Sequence, residues 1–214
     1  MRIAELGIVD YLNALDFQKK TVEDRIAGRT EDTLILCEHR PVVTLGRTSG
    51  NKDLLDPAFF QKKGVKVLRT SRGGLITYHS PGQLMAYPVF LLPENSRDVS
   101  LFIDLIEKSV VRALRRMGVD ARRSGRRGVW VSGKKIAFTG VAFRRWVSYH
   151  GVCVNVNNDI SAFGKINPCG EPDIEVTSVR AELGRPFDMR EARALAAEAF
   201  ETVFSACYGA KAVC

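Results

Sequence analysis

With 214 residues and 45% hydrophobic content, the chain fits one large globular domain, or at most two small ones, with ample material for a core. Its amino terminus, MRIAELGIVDYLNAL, carries Glu5 and Asp10 inside the apolar stretch and so lacks the unbroken run of a signal peptide; no other segment is long and apolar enough to span a bilayer, so a cytoplasmic protein without a membrane partner is expected. The formal net charge of +8 is concentrated: from Lys108 to Arg145, twelve Lys or Arg stand against a single acid, Asp120, which points to an acidic partner, either protein or nucleic acid.

In chain order, the first helix is expected from about Asp10 to Ile26, with Tyr11, Leu15, Val22 and Ile26 along one face. TLILCEH, VVTLG, VKVL, GLITYH and QLMAYPVFLL follow as β-branched or aromatic runs broken by Gly, Pro or Asn, and read as strands. A second helix starts near Asp98 or Ser100, carries Phe102, Ile106, Ala113 and Met117, and stops at Gly118. The stretch GVWVSGKKIAFTGVAFRRWVSYHGVCVNV predicts three strands with tight turns at Ser132-Gly133 and Arg144-Arg145, which allow only antiparallel neighbours. A third helix opens at Asp188 with Glu191 at capping-box spacing and runs through Leu195, Ala199 and Val203 to Gly209. The sum is one α+β domain over residues 1–214, a mixed and largely antiparallel sheet flanked by helices.

Five cysteines, Cys37, Cys153, Cys169, Cys207 and Cys214, form an odd and irregular set without a CxxC pair, so a disulfide framework is not expected in a reducing compartment. The histidines His39, His79 and His150 lie far apart in sequence and form neither HxxxH nor HExxH, so no metal site is expected. Cys37 and Cys153 sit in strand-like runs and read as small buried hydrophobes. Cys169 is different: INPCGEPD places it between Pro168 and Gly170, the stiffest and the most permissive residue types.

Two further segments carry polar chemistry. In SRGGLITYHSPGQL the glycines Gly73, Gly74 and Gly82 give the backbone freedom to turn or to approach a ligand, with Arg72, Tyr78 and His79 beside them. The spacing fits neither GxxxxGK[ST] nor GxGxxG, so a nucleotide phosphate loop is not supported. In GKKIAFTGVAF two lysines, Lys134 and Lys135, open an apolar strand. A lysine entering a low-dielectric pocket loses stabilisation of its charge and becomes a candidate base, and spacing alone does not choose between the two.

RGGLITYHSPGQL, KIAFTGVAFRRWVSYHGVCVNV and INPCG…VTSV, in this order and preceded by EHRPVVTLGR, resemble the octanoyl-[acyl-carrier-protein]:protein N-octanoyltransferases, the lipoate–protein ligase B family. The resemblance covers nearly the whole chain. It implies a biotin/lipoate ligase-like fold and a Cys/Lys dyad, placing the family's PCG cysteine on Cys169 and its KIA lysine on Lys135. It also implies an acyl-binding tunnel formed by Arg72, Gly73, Gly74, Leu75, Ile76, Thr77, Tyr78 and His79, by Phe138, Thr139 and Gly140, and by Gly151, Val152 and Cys153, with Gly140 and Gly151 letting the acyl chain pass close to the backbone. The implied donor is octanoyl-acyl carrier protein, which delivers its acyl group on a phosphopantetheine arm without ATP or metal. The implied acceptors are the lipoyl domains of 2-oxo acid dehydrogenase complexes and the glycine cleavage H protein, and a monomer suffices for the chemistry. The basic run, with Arg122, Arg123, Arg126 and Arg127 at its centre, would then meet the acidic carrier.

Three positions depart from the family pattern. Ser80 stands where a glycine is usual, Phe138 and Thr139 replace a smaller or aliphatic pair, and Cys153 places a second thiol in the implied tunnel wall, an off-path site of acylation. Rival readings are an ATP-dependent lipoate or biotin ligase of the same superfamily, a transferase that moves octanoyl groups between two proteins, and a nucleic-acid module built on the arginines. The last lacks a stacking platform or a groove-reading helix.

Overall fold

The alternation of apolar side chains along the strands has two cores to fill, one on each face of the main sheet. A computed structural model describes residues 1–168 and 174–209. Its strands are β1 (Arg2–Val9), β2 (Thr33–His39), β3 (Val42–Leu45), β4 (Lys66–Arg69), β5 (Ile76–His79), β6 (Gln83–Val89), β7 (Arg122–Arg123), β8 (Val129–Val131), β9 (Lys134–Arg144) and β10 (Val147–Asn155). The helices are α1 (Tyr11–Ile26), α2 (Pro57–Lys62), α3 (Val99–Arg116), α4 (Val179–Leu183) and α5 (Met189–Phe204), the last continuing into a π-turn over Ser205–Gly209.

The single sheet expected from sequence is two. Seven strands run in the order β1-β2-β6-β10-β9-β8-β7, and a smaller sheet has the order β4-β3-β5. The β1–β2 and β3–β4 pairs are parallel and the rest antiparallel, which gives the expected mixed, largely antiparallel character. β2 and β6 are buried along their whole length because both faces are covered. Leu34, Leu36, Leu84, Ala86, Val152 and Val154 point to a core with α3 and α5, while Ile35, Cys37, Met85, Tyr87 and Cys153 point to a second core under α1 and the small sheet. That two-sided burial explains why TLILCEH reads as a continuous apolar run rather than an alternating one.

The caps that the sequence suggested form. The Asp98 carboxylate accepts from the backbone N–H of Ser100 and Leu101 at the start of α3, and Asp188 does the same for Arg190 and Glu191 at the start of α5. Gly118 follows α3 with φ +89°. The turn between β8 and β9 is Ser132-Gly133, both at positive φ, as hairpin twist demands. The next turn is centred on Arg145-Trp146 rather than Arg144-Arg145, again with both residues at positive φ. In α1 the buried stripe is Tyr11, Ala14, Gln18, Thr21 and Val22, rotated from the expected one; Leu15 and Ile26 are half-buried, and a glutamine has taken a core position. Among the described residues no helix is long and apolar enough to cross a membrane.

Candidate active site

A cavity of about 440 Å³ opens where β9 and β10 of the large sheet meet β5 and its preceding loop. Every tunnel residue expected from sequence lines it except Tyr78, as does Lys135. Tyr78 turns away and packs between Phe60 and Phe163, with ring centroids 5.9 and 6.3 Å distant. Cys169 lies outside the described residues. Asn167, shortly before it, donates its backbone N–H to Asp53 O, and the chain beyond it pairs with Lys135: Lys135 N–H donates to Glu175 O, and Thr177 N–H to Lys135 O.

β9 settles which lysine faces inward. Lys134 is 47% exposed and 4.0 Å from Glu175, whereas Lys135 is 3% exposed, as the strand's alternation requires. The Lys135 ammonium sits 5.1 Å from the centroid of the Trp130 ring and 5.0 Å from that of Phe138, within cation–π reach of both. Trp130 is its cross-strand partner on β8, and Phe138 is held by a parallel stack on Phe163 at 5.1 Å. Gly128, at φ +101°, closes the third side: a Cβ there would run into Lys135 Cε and lie 2.6 Å from Ala137 O. The Gly128 N–H is fixed at 2.6 Å by the buried carboxylate of Glu107 on α3.

The opposite end of the cavity is polar. The Arg72 guanidinium donates to Thr44 O, to Thr44 Oγ1 and to Gly73 O. With its lone pairs facing arginine, the Thr44 hydroxyl directs its proton to His79 Nε2 at 3.1 Å, and His79 Nδ1–H donates to Gln83 Oε1 at 2.7 Å. The relay continues through Gln83 Nε2 to Asn155 Oδ1, and through Asn155 Nδ2 to Thr177 O. It therefore ends on the segment that pairs with Lys135.

The histidines that are distant in sequence converge here. His39 and His79 have ring centroids 5.8 Å apart, and Tyr11 stacks on His79. The Tyr11 hydroxyl lies 3.4 Å from His150 Nδ1. Burial lowers the pKa of all three: His39 to about 4, His150 to about 3 with help from Arg72 and Lys19, and His79 well below its ordinary value, with His39 and Arg72 adding to the effect. All three are neutral at physiological pH and serve as hydrogen-bonding pieces. His150 sits at φ +57° in β10, held by its N–H donating to Gln18 Oε1; this contact is what draws Gln18 into the core.

Three sequence expectations are refined. Gly140 and Gly151 do line the cavity, but the room left by their missing side chains is filled by the protein's own backbone: a Cβ on Gly140 would lie 2.6 Å from Gly73 O, and one on Gly151 would strike Ala86 O. Ser80 is not among the residues at positive φ, so its backbone needs no glycine. Cys153 is 3% exposed and burial pushes its thiol up to about 11, so it stays protonated beside the cavity. Cys37 is likewise buried. Among the described residues no group of three or more His, Cys, Asp or Glu is placed to hold a metal ion.

The sequence reading missed Tyr11, Arg47, Thr48, Met85, Tyr87, Val99, Ile103, Arg127, Val141 and His150 as cavity residues. Arg47 closes the EHRPVVTLGR motif and Val141 and His150 lie inside KIAFTGVAFRRWVSYHGVCVNV, which were the available signals; the others converge only through tertiary packing. The one-sided basic run is also less bare than it reads. Arg122 pairs with Asp120, Arg123 with Asp104 and Glu107, Arg127 with Asp104, Arg116 with Glu198 and Arg144 with Glu23.

A cavity wedged between a large and a small sheet, with a caged lysine in its wall, is the arrangement of a ligase or transferase catalytic domain, and the chain belongs to the lipoyl protein ligase A/B catalytic domain family, whose profile matches residues 10–201. Within that family it falls with the octanoyltransferases. It is 40% identical over 204 residues to the octanoyltransferase of Caldanaerobacter subterraneus (94% of this chain, 89% of that one), and 40% over 208 residues to that of Nitratidesulfovibrio vulgaris (96% and 95%). Among solved structures the fold is similar to a bi-partite lipoate protein ligase from Thermoplasma acidophilum (TM-score 0.73, 18% identity, 95% of this chain and 83% of that one). It is also similar to a biotin protein ligase from Aquifex aeolicus in complex with biotin and ATP (TM-score 0.59, 14% identity, 94% and 69%).

Proposed function

We propose that the protein is an acyltransferase that moves an octanoyl group from octanoyl-acyl carrier protein, through a thioester on Cys169, to the lysine of a lipoyl domain. The observation that carries this reading is the placement of Lys135, a buried ammonium in the wall of a cavity lined by Leu75, Ile76, Met85, Phe138, Val141 and Val152. Its volume lies within the range of small-ligand sites, and its lining is suited to an aliphatic chain.

At rest the Cys169 proton resides on Lys135, as a thiolate–ammonium pair, and in the first half-reaction that thiolate attacks the donor's thioester carbonyl. The new C–S bond forms as the old one breaks, and the Lys135 ammonium returns the proton to the departing carrier thiol. In the second half-reaction the acceptor lysine's amine attacks the Cys169 thioester, Lys135 accepts the amine proton, and amide formation releases the Cys169 thiolate beside the ammonium. One thioester is exchanged for another and then for a more stable amide, so the sequence is downhill without ATP. The pairing of Glu175–Thr177 with Lys135 supports the dyad, because it brings the chain that follows Cys169 alongside the lysine. The reading takes residues 1–214 as one catalytic domain that works as a monomer in the cytoplasm.

Intact-protein mass spectrometry after mixing with octanoyl carrier protein tests it. The wild type gains one octanoyl group labile to hydroxylamine, and Cys169→Ala gains none. Free octanoate with ATP loads neither. Transfer by Cys169→Ala at the wild-type rate would sink the thioester route, and ATP-dependent use of free octanoate would make the protein a ligase.

A further inference from the structure

The outer face of α3 carries a concavity with no role in the cavity chemistry. Lys108, Arg112, Arg115, Arg116 and Arg123 surround it, and Val111 on α3 and Val203 on α5 form an apolar floor. Among the described residues no carboxylate lines it. Two of its cations are paired with carboxylates, Arg116 with Glu198 and Arg123 with Asp104 and Glu107, and Arg115 donates its Nε–H to Ala121 O. Lys108, Arg112 and Arg115 are exposed and have no ion-pair partner among the described residues. Their spacing, i, i+4 and i+7, places them in one row along the helix.

We propose that this groove is the docking surface for the acyl carrier protein that brings the donor thioester; the proposal rests on the octanoyl-transfer reading above and locates that donor. The groove joins a row of cations to an apolar floor, which complements an acidic amphipathic helix. A nucleic acid backbone would leave Val111 and Val203 without a partner.

Distance separates donor from acceptor. Val99 and Ile103, at the start of α3, line the cavity, and the rise of about 1.5 Å per residue puts Arg112 about 14 Å further along the helix from Ile103 and about 20 Å from Val99. An acceptor lysine side chain reaches only about 6 Å and its domain must sit at the cavity mouth. A pantetheine-type arm of some fifteen bonds spans about 18–20 Å when extended, at roughly 1.25 Å of advance per bond. Only a partner that carries its reactive group on such an arm can rest on this part of α3 and still deliver it to the cavity. α3 thus serves as both wall and spacer.

The test compares wild type with the triple variant Lys108→Glu/Arg112→Glu/Arg115→Glu. The dissociation constant of a fluorescently labelled acidic carrier protein is read by anisotropy, beside KM for octanoyl carrier protein, KM for a lipoyl domain and the rate with a small octanoyl thioester. The variant should weaken carrier binding and raise carrier KM at least about tenfold at low salt, with the gap closing as salt screens the charges. KM for the lipoyl domain and the small-thioester rate should stay within about twofold. Lys108→Gln/Arg112→Gln/Arg115→Gln, with a wild-type Tm, should move carrier binding the same way by a smaller factor. Unchanged carrier affinity in both variants overturns the proposal. So does a rise in lipoyl-domain KM alone, or loss of duplex DNA or RNA binding with the carrier affinity intact. A wild type that binds the carrier through the groove yet transfers nothing from it would fault the octanoyl-transfer reading and leave the docking surface standing.

Discussion

The two ends of the cavity each hold a cation, half-buried Arg72 at one and buried Lys135 at the other, and the groups set around the two differ. Arg72 is locked by oxygen acceptors, with Thr44 and the Gly73 carbonyl receiving its N–H groups. Lys135 is set against the faces of Trp130 and Phe138, with Gly128 beneath. A guanidinium remains protonated whatever surrounds it, so anchoring it to carbonyls and hydroxyls costs no function. The ring faces of Trp130 and Phe138 help to position the Lys135 side chain without themselves taking up a proton. On the proposed octanoyl-transfer reading, the Arg72 end maintains structure and the Lys135 end is where rate is decided.

The sharpest break of this contrast is Lys135→Ala, which should lower single-turnover octanoyl transfer by about 10²–10⁴-fold while barely moving Tm. Lys135→Arg should not restore it, because a guanidinium cannot serve as a base. Full transfer by Lys135→Ala would mean that the caged ammonium is only a structural cation. At the other end the effect is on folding. The three histidines are neutral in the native state, with pKa values below the unfolded value near 6.5. The unfolded chain binds more protons below that pH, so the stability they contribute is complete above about pH 6.5. It is lost toward pH 4–3 at up to ~1.4 kcal/mol per pH unit for each. Urea titrations from pH 7 to 4 should show that slope, and His39→Gln should flatten it.

Thr44→Val removes the hydroxyl that joins Arg72 to His79 and should cost about 1–3 kcal/mol in denaturant unfolding, with kcat close to wild type. A loss of kcat at unchanged stability would reverse the assignment of the two ends. Trp130→Leu should lower kcat by about 2- to 30-fold, the range of one cation–π contact of ~0.5–2 kcal/mol, and Trp130→Phe should recover part of it at similar KM. The smallest change belongs to Lys134→Ala, whose exposed side chain lies 4.0 Å from Glu175; its transfer rate should match wild type.

Local chemistry was legible in the sequence wherever one segment decided it. The β8–β9 and β9–β10 hairpins followed from short polar turns, and α3 and α5 from an aspartate cap and a glycine stop; the cavity lining came only through the family resemblance of the glycine-rich and KIA segments. What escaped depended on remote partners. β1 is an exposed edge strand whose parallel pairing with β2 leaves little alternation to read. Pro57–Lys62 and Val179–Leu183 are too short to show a helical period. The division into two sheets, the meeting of the three histidines and the neutralisation of Arg123 and Arg127 by Asp104 all join positions far apart in the chain. Spacing alone left the twin lysines equivalent and only the family resemblance singled out Lys135, the one that β9 turns inward.

The glycines at 46, 140 and 151 form a seam where main chain rests directly on main chain, each Cβ position being filled by a neighbouring carbonyl: Gly74 O, Gly73 O and Ala86 O. Of the three, Gly140 against Gly73 O joins β9 of the large sheet to the loop before β5, and there the two are clamped at a separation fixed by the thickness of the peptide itself, a calliper whose jaws no side chain can adjust. Its gauge is inherited with the fold. If the cavity takes the acyl chain as proposed, selection by length falls to what protrudes between the jaws, chiefly Phe138, Thr139 and Cys153, and exchanging those plugs would tune preference while the frame stays closed.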